Sequence, residues 1–301
     1  MLSILIPIYN YNVFPLVSEL HKQCLKCKID FEILCQDDAS NSSLNIFNDK
    51  VNSLPNCSFV ALTQNLAHRE NRNSLAEKAK YNYLLFIDGD SNIISNNFIQ
   101  NYISNIHDFD VVYGGRLHPE KCPSDNQKLR WKYGRFIEDK NAENRKHTPY
   151  QSLLFNNTLI NKECFNKVKF DKKMKKYGHD DTQLSYQLSI LKSKVNHIDN
   201  PIEHGDIDSN SAYLNKTKES LENLILLYEE NKIDIQFVKL IRLYAFLKKT
   251  KIDFIIRKSY SFFKNLILKN LTGNNPNLLV YNIFKVGHLC TLNKNKTTNF
   301  I

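Results

Sequence analysis

The first half of the chain alternates between two patterns. Short, almost wholly apolar runs occur at Leu2–Ile8, Phe31–Cys35, Ser58–Leu62, Tyr83–Ile87 and Asp110–Tyr113. Stretches with helical apolar spacing separate them, at Phe14–Cys27, Leu44–Leu54, Glu70–Lys80 and Asn96–Ile106. Runs without polar alternation read as strands buried on both faces, which occur in parallel sheets whose crossovers are helices. The alternation therefore predicts an α/β fold of Rossmann-like type, a mostly parallel central sheet flanked by helices. Ligands of such sheets bind beyond the C-terminal ends of the strands. The residues just after each apolar run are thus the first to read for chemistry.

Two of those positions are acidic pairs. Cys35-Gln36-Asp37-Asp38-Ala39-Ser40 follows the second run and Ile87-Asp88-Gly89-Asp90 the fourth. Carboxylates gathered at one sheet edge repel unless something positive lies between them. A divalent cation, Mn2+ or Mg2+, held by one or two carboxylates and by substrate phosphates meets that need. The bland reading of each pair alone is a turn or a helix cap. GxGxxG and GxxxxGK[ST] are both missing from the sequence, so neither a dinucleotide site nor a P-loop is expected, and a bound nucleotide would be gripped by side chains and metal. After the third run, Asn65 to Asn73 carries Arg69 and Arg72, three apart on one helix face; arginine forks onto phosphate or stacks on a base.

In the second half, residues 117–150 read as a polar, irregular substrate-covering segment containing Trp131 and Tyr133. A helix is expected over Thr182–Lys192 and a short strand over Val195–Ile198. Tyr177-Gly178-His179-Asp180-Asp181 puts paired carboxylates at that helix start, either as a general base or as a cap stabilised by the helix dipole. His204-Gly205 leaves a later strand as a metal-ligand candidate. Helices are predicted at Leu214–Glu229, Ile235–Leu247, Phe254–Lys269 and Leu278–Leu289.

Composition matters mainly for its placement. Of the +10 net charge over 301 residues, Lys232 to Leu271 contributes 10 Lys/Arg against 2 Asp/Glu, and the rest is nearly neutral at 31 against 29. That is unlike the basic groove of a nucleic-acid-binding domain, and no nucleic-acid partner is expected. Two readings of the C-terminal helices stay open: packing on the catalytic sheet or on a second copy of the chain, or peripheral attachment to an anionic membrane surface. The lone Cys24-x-x-Cys27 lacks a second pair at zinc spacing. With seven cysteines, no signal-like N-terminus and no spanning stretch, the expectation is a cytoplasmic protein, or one at the inner face of the plasma membrane.

The order of these segments resembles the family 2 inverting glycosyltransferases with the A-type nucleotide-sugar-binding fold, of the bacterial surface-polysaccharide type. The resemblance rests on Ile4 to Asn10, Asp37-Asp38-Ala39-Ser40, Asn65 to Asn73, Asp88-Gly89-Asp90 and Gly178-His179-Asp180-Asp181, and covers about residues 1–215. It implies a catalytic domain over 1–215, with a nucleotide-sugar-binding half at 1–116 and an acceptor half at 117–215, followed by a basic helical region at 216–301. It implies that Pro7 and Tyr9 flank the base, that Asp38 contacts it, and that Arg69 and Arg72 lie near base and diphosphate. Asp90 and His204 are then the metal ligands, and Asp88 contacts ribose or metal-bound water. Asp181 is the catalytic base. Asp180, where glutamate is usual, meets the acceptor; Trp131 stacks on a sugar or packs its own segment. Ala67 replaces the usual glycine. The implied reaction moves a sugar, most simply from a UDP-sugar, to a hydroxyl of a glycan or lipid-linked glycan acceptor.

Two other classes fit the sequence less well. A sugar nucleotidyltransferase would want a glycine-rich loop after the first strand, where this chain has Ile8-Tyr9-Asn10-Tyr11-Asn12. A non-catalytic sugar-nucleotide or glycan-binding protein would be favoured by loss of Asp90 or Asp181, and both are present.

Overall fold

Ten strands form two sheets in the computed structural model, which describes residues 1–174 and 176–292. The strands are β1 (Leu2–Ile8), β2 (Phe31–Asp37), β3 (Cys57–Ala61), β4 (Tyr83–Ile87), β5 (Ser91–Ile93), β6 (Val111–Tyr113), β7 (Arg116–Leu117), β8 (Asn157–Asn161), β9 (Val195–His197) and β10 (Ile202–His204). Seven pair in the order β3-β2-β1-β4-β8-β6-β9, and β5-β10-β7 make a smaller sheet. In the large sheet only β8 runs against its neighbours, β4 and β6. The expected mostly parallel α/β sheet flanked by helices is what forms.

Alternation explains why the strands read as unbroken apolar runs. Ile4, Ile6 and Ile8 of β1 and Leu85 and Ile87 of β4 enter one core. Leu5, Leu84 and Phe86 point to the opposite face, where they meet Phe155, Phe165 and Phe170. Both faces are covered, so both phases of the period-2 pattern are mostly apolar, and buried exceptions such as Ser3 and Glu32 pair with each other at 2.6 Å.

The helices are α1 (Phe14–Cys27), α2 (Asn45–Asn48), α3 (Ala67–Lys78), α4 (Phe98–Ile103), α5 (Lys128–Tyr133), α6 (Ala142–Lys146), α7 (Lys162–Val168), α8 (Asp180–Ile190), α9 (Asn210–Glu229), α10 (Lys239–Lys249), α11 (Asp253–Thr272) and α12 (Leu278–Thr291). Helix α1 buries Leu16, Val17, Leu20 and Cys24 on one face; all seven cysteines are free. The helix expected over Leu44–Leu54 is instead one turn of α2 and a 3-10 stretch, Asp49–Ser53. Asn48 spends its side chain on the Val13 N–H and the Tyr11 carbonyl, a competition with regular helix that asparagine favours. The segment 117–150 is less irregular than expected, holding α5, α6 and a π-type stretch at Gly134–Glu138. Of the small sheet the sequence predicts only the strand before His204-Gly205, and it gives no sign of α7.

The chain divides into two compact units, one of Met1–His118, Glu138–Lys173 and Asp180–Asp206, the other of Pro119–Ile137, Met174–His179 and the chain from Ile207 on. This partition differs from a division at residue 215. Leu129, from the segment 117–150, packs with Leu214, Tyr260, Tyr281 and Phe284 of the C-terminal helices. A second apolar cluster there joins Leu221, Ile225, Tyr244 and Leu289. Among the described residues, no helix is long and apolar enough to cross a membrane.

Candidate active site

The first unit gathers its acidic residues where β1, β2 and β4 end. The Asp38 N–H donates to the Ile8 carbonyl at 2.9 Å, tying the end of β2 to that of β1. Asp37 is buried and holds its own turn, accepting from the Ser40 N–H and hydroxyl and from the Asn45 amide. Asp38 accepts the Leu66 N–H at 2.6 Å, while the Asn65 amide donates to the Asp38 carbonyl. Burial pushes the Asp38 carboxyl above its ordinary pKa, with the Leu66 N–H acting the other way. The loop so fastened carries Ala67 at φ +64°, the left-handed conformation that glycine adopts without cost. Here the Asn65 side chain accepts the Ala67 N–H at 2.9 Å, a local bond that helps to hold the strained turn. Pro7 is the register partner of Gln36, and Tyr9, just past β1, is 64% exposed.

At the end of β4 the chain turns, the Ser91 N–H donating to the Asp88 carbonyl at 3.1 Å. A Cβ on Gly89 would stand 3.2 Å from the Pro7 carbonyl, so the turn lies close against β1. Asp88 accepts Arg72 Nη2 at 2.5 Å. Arg72 Nη1 and Arg69 Nη2 each lie 3.7 Å from Asp180, and His68 Nε2 lies 2.9 Å from it. The two arginines expected beside the diphosphate thus face carboxylates, from one turn of α3.

This arrangement drives two neighbouring carboxyls apart. Burial works to raise Asp180, but the His68 contact and the charges of His68, Arg72 and Arg69 outweigh it and hold Asp180 well below the usual range. Asp181 goes the other way, pushed up to about 7 by burial first and then by the charge of Asp180. Arg72 and the Phe155 N–H only partly offset this. Asp181 Oδ1 is buried with no hydrogen-bond partner. Both residues begin α8, which starts two residues before the helix predicted from Thr182. Gly178 and His179, at φ +83° and +62°, form the turn that leads into it.

Backbone register assembles the third group. Strand β10 pairs antiparallel with β5, placing His204 opposite Ser91, and the Gly205 N–H donates to the Asp90 carbonyl at 2.9 Å. His204 Nδ1 consequently lies 3.3 Å from Asp90 Oδ2, a charge-contact distance without the geometry of a hydrogen bond. Two such atoms side by side fit a pair of ligands to one divalent cation. Asp88 does not join them, and among the described residues no three His, Cys, Asp or Glu side chains converge in a metal-holding group. Two protein ligands suffice for a hard cation that takes its remaining oxygens from phosphate and water.

Sequence reasoning missed the residues behind this pair. The His118 and His204 rings meet edge to face at 5.9 Å. His118 Nδ1 lies 2.6 Å from Asp139 Oδ1, and Arg116 Nη2 donates to Glu138 Oε2 at 2.5 Å. The link runs through β7, paired with β10, to residues some twenty positions later, a distance at which no local motif signals contact. Trp131 belongs to the second unit. Its indole N–H donates to the Pro119 carbonyl at 2.8 Å and its ring meets Phe136 edge to face.

The profile of Glycosyl transferase family 2 matches residues 3–169, more than half of the chain. No curated protein matches in sequence. Among solved structures, the mannosyltransferase PcManGT from Pyrobaculum calidifontis, in complex with GDP-Man and Mn2+, aligns at TM-score 0.55 and 12% identity, over 82% of this chain and 69% of that one. S. aureus TarS 1-349 in complex with UDP-GlcNAc aligns at TM-score 0.50 and 16% identity, over 74% of this chain and 66% of that one. The same fragment in complex with UDP aligns at TM-score 0.50 over 96% and 89%. The chain therefore spans just under two thirds of the UDP-GlcNAc-bound TarS chain, and the likeness is one of fold.

Proposed function

The chain belongs to glycosyl transferase family 2, and from that premise we propose that it transfers a sugar from a nucleotide-sugar donor to an acceptor hydroxyl, inverting the anomeric carbon. The observation that carries this reading is the split pair at the start of α8. Asp180 is held as a carboxylate, while Asp181 is pushed up to about 7 with one buried oxygen unpartnered. Titratable neighbours driven apart in this way mark acid and base roles, and a base is most effective when its pKa lies near the working pH.

In this mechanism the acceptor oxygen attacks the anomeric carbon as its proton passes to Asp181. The bond from that carbon to the diphosphate oxygen breaks, and its electron pair leaves with the nucleoside diphosphate. Direct displacement with a single base gives inversion. Asp180, fixed by His68, Arg69 and Arg72, orients the acceptor through hydrogen bonds to its carboxylate. Asp38 accepts a base N–H at the far end of the donor, between Tyr9 and the Asn65–Ala67 loop. Asp90 and His204 would hold a divalent cation, Mn2+ or Mg2+, whose chemistry when bound is to neutralise charge on the diphosphate. We assign the donor to the UDP-sugars, because Asp38 suits an imide N–H and because TarS, of related fold, is known with UDP-GlcNAc. The acceptor in this reading is a glycan or lipid-linked glycan of a bacterial surface polysaccharide.

The test is a screen of UDP-, GDP- and dTDP-sugars for nucleotide release, with and without Mn2+, with the product anomer read by NMR. Release from one class of donor, and an anomer opposite to the donor's, is expected. No release from any donor, together with no change in melting temperature on adding UDP and Mn2+, refutes the proposal.

A further inference from the structure

The second unit presents an apolar face that its own core does not use. Of 21 exposed large apolar side chains among the described residues, ten lie between Leu243 and Ile283. Isolated exposed hydrophobics need no explanation, but a cluster marks an interaction surface. On α11, Tyr260, Ile267 and Leu271 are buried along one stripe, while Ile255, Phe262 and Leu266 form a second stripe and stay exposed, Phe262 to 81% and Leu266 to 65%. Spacings of seven and four residues put that second stripe on one side of the helix. On α12, Leu279 and Ile283 continue the face one turn apart. Gly287 lets the Tyr260 ring approach the α12 backbone, and a groove of about 510 Å3 runs between the two helices, lined by Ile255, Phe263, Leu266, Val280 and Ile283.

The charge on this face is of one sign. From Phe254 through Leu292 the sequence has no acidic residue, against Arg257, Lys258, Lys264, Lys269 and Lys285. Lys258, Lys264 and Lys269 are exposed. By helical spacing Lys258 and Lys269 border the Ile255–Phe262–Leu266 stripe, since 258, 262 and 269 share one side of α11.

We propose that this face docks on an anionic lipid bilayer surface, its aromatic and aliphatic side chains entering the headgroup–acyl boundary while the lysines meet lipid phosphates. A second copy of the chain is a poorer occupant. A two-fold interface would set this face against itself, lysines opposite lysines, with no acid on α11 or α12 beyond Asp253 to pair them. A lipid surface supplies both the anions and the apolar phase, and side chains that protrude as far as Phe262 suit insertion better than a flat protein contact. The inference concerns the second unit alone and does not rest on the sugar-transfer reading.

Flotation of the full chain with vesicles of phosphatidylcholine alone, and of phosphatidylcholine with phosphatidylglycerol, at low and high salt, tests it. Binding is expected only with phosphatidylglycerol, and it should weaken with salt. Each lysine near an anionic surface strengthens binding roughly fivefold, so Lys258→Gln with Lys269→Gln should weaken it roughly 30-fold. Phe262→Ser with Leu266→Ser should weaken it about tenfold or more. All four positions are exposed, and circular dichroism melts verify that the variants fold; if one pair melts early, the other decides. Absence of binding by folded wild type, equal binding to neutral vesicles, or unchanged binding by the folded variants overturns the proposal. So does sedimentation of the wild type as a dimer that the Phe262 and Leu266 changes convert to monomer, which assigns the face to a second copy.

Discussion

Asp181→Asn should make the protein more stable and less active, and the size of the gain should depend on pH. In an unfolded chain an aspartate titrates near 3.9. In the folded protein Asp181 is pushed up to about 7, by burial and then by the charge of Asp180. The sign is opposite to that of a carboxylate held in an ion pair. The folded state keeps the Asp181 proton to higher pH than the unfolded state does, so the unfolded state binds fewer protons and stability falls as pH rises from about 4 to about 7. Three units at 1.36 kcal/mol each set a ceiling of roughly 4 kcal/mol, and coupling to Asp180 lowers the expected effect to about 2–4 kcal/mol. Asparagine has the same shape and carries no charge. The variant should therefore match wild type near pH 4 and exceed it by about 2–4 kcal/mol above pH 8, on the order of 3–6 °C in melting temperature for a chain of 301 residues. Urea and thermal denaturation across that range, in chelator and without donor, measures this. Transfer by the same variant should drop by about 10²-fold or more, and the acid limb of the wild-type rate profile should lie near pH 7. A stability difference that is flat with pH, or of opposite sign, refutes the assignment of a raised carboxyl to Asp181, and wild-type turnover in the variant removes it from the mechanism.

Three further outcomes are expected. EDTA should abolish transfer and Mn2+ or Mg2+ restore it, with His204→Ala raising the metal concentration needed; undiminished transfer in chelator excludes a metal role for Asp90 and His204. Asp38→Ala should weaken UDP binding in calorimetry and narrow its preference over CDP, and loss of the Leu66 N–H acceptor should cost about 1–3 kcal/mol of stability; unchanged selectivity would take base reading away from Asp38. Ala67→Gly should raise stability by roughly 0.5 kcal/mol, since relief of the left-handed conformation (about 1–2 kcal/mol) exceeds the backbone entropy glycine loses (about 0.5–1 kcal/mol). A loss of stability in this variant would contradict the strain argument.

The central sheet was legible because its strands are buried on both faces, leaving near-continuous apolar runs that survive any error in pairing. Strands β1 and β4 have their predicted ends. The helix over Leu44–Leu54 was not legible, because the competing partners of Asn48, the Val13 N–H and Tyr11 carbonyl, come from a loop more than thirty residues earlier. Of the small sheet only the strand before His204-Gly205 was legible, because all three strands are two or three residues long, too short to express a period. Yet that sheet is what brings Asp90 and His204 within 3.3 Å.

Residue types and their positions at strand ends were thus settled by the sequence alone, since hydrophobic periodicity locates the ends and carboxylates, arginine and histidine carry their chemistry wherever they fall. What those groups do to one another was decided by the tertiary structure. Arg69 and Arg72 look from sequence like phosphate binders, and the tertiary structure also sets both beside Asp180. Asp180 and Asp181 are chemically identical neighbours in the chain, yet one is held low and the other raised. Asp180 is held low by charges of residues more than a hundred positions away, while Asp181 is raised by burial and by Asp180 itself; desolvation and Coulomb terms depend on distance in space rather than along the sequence.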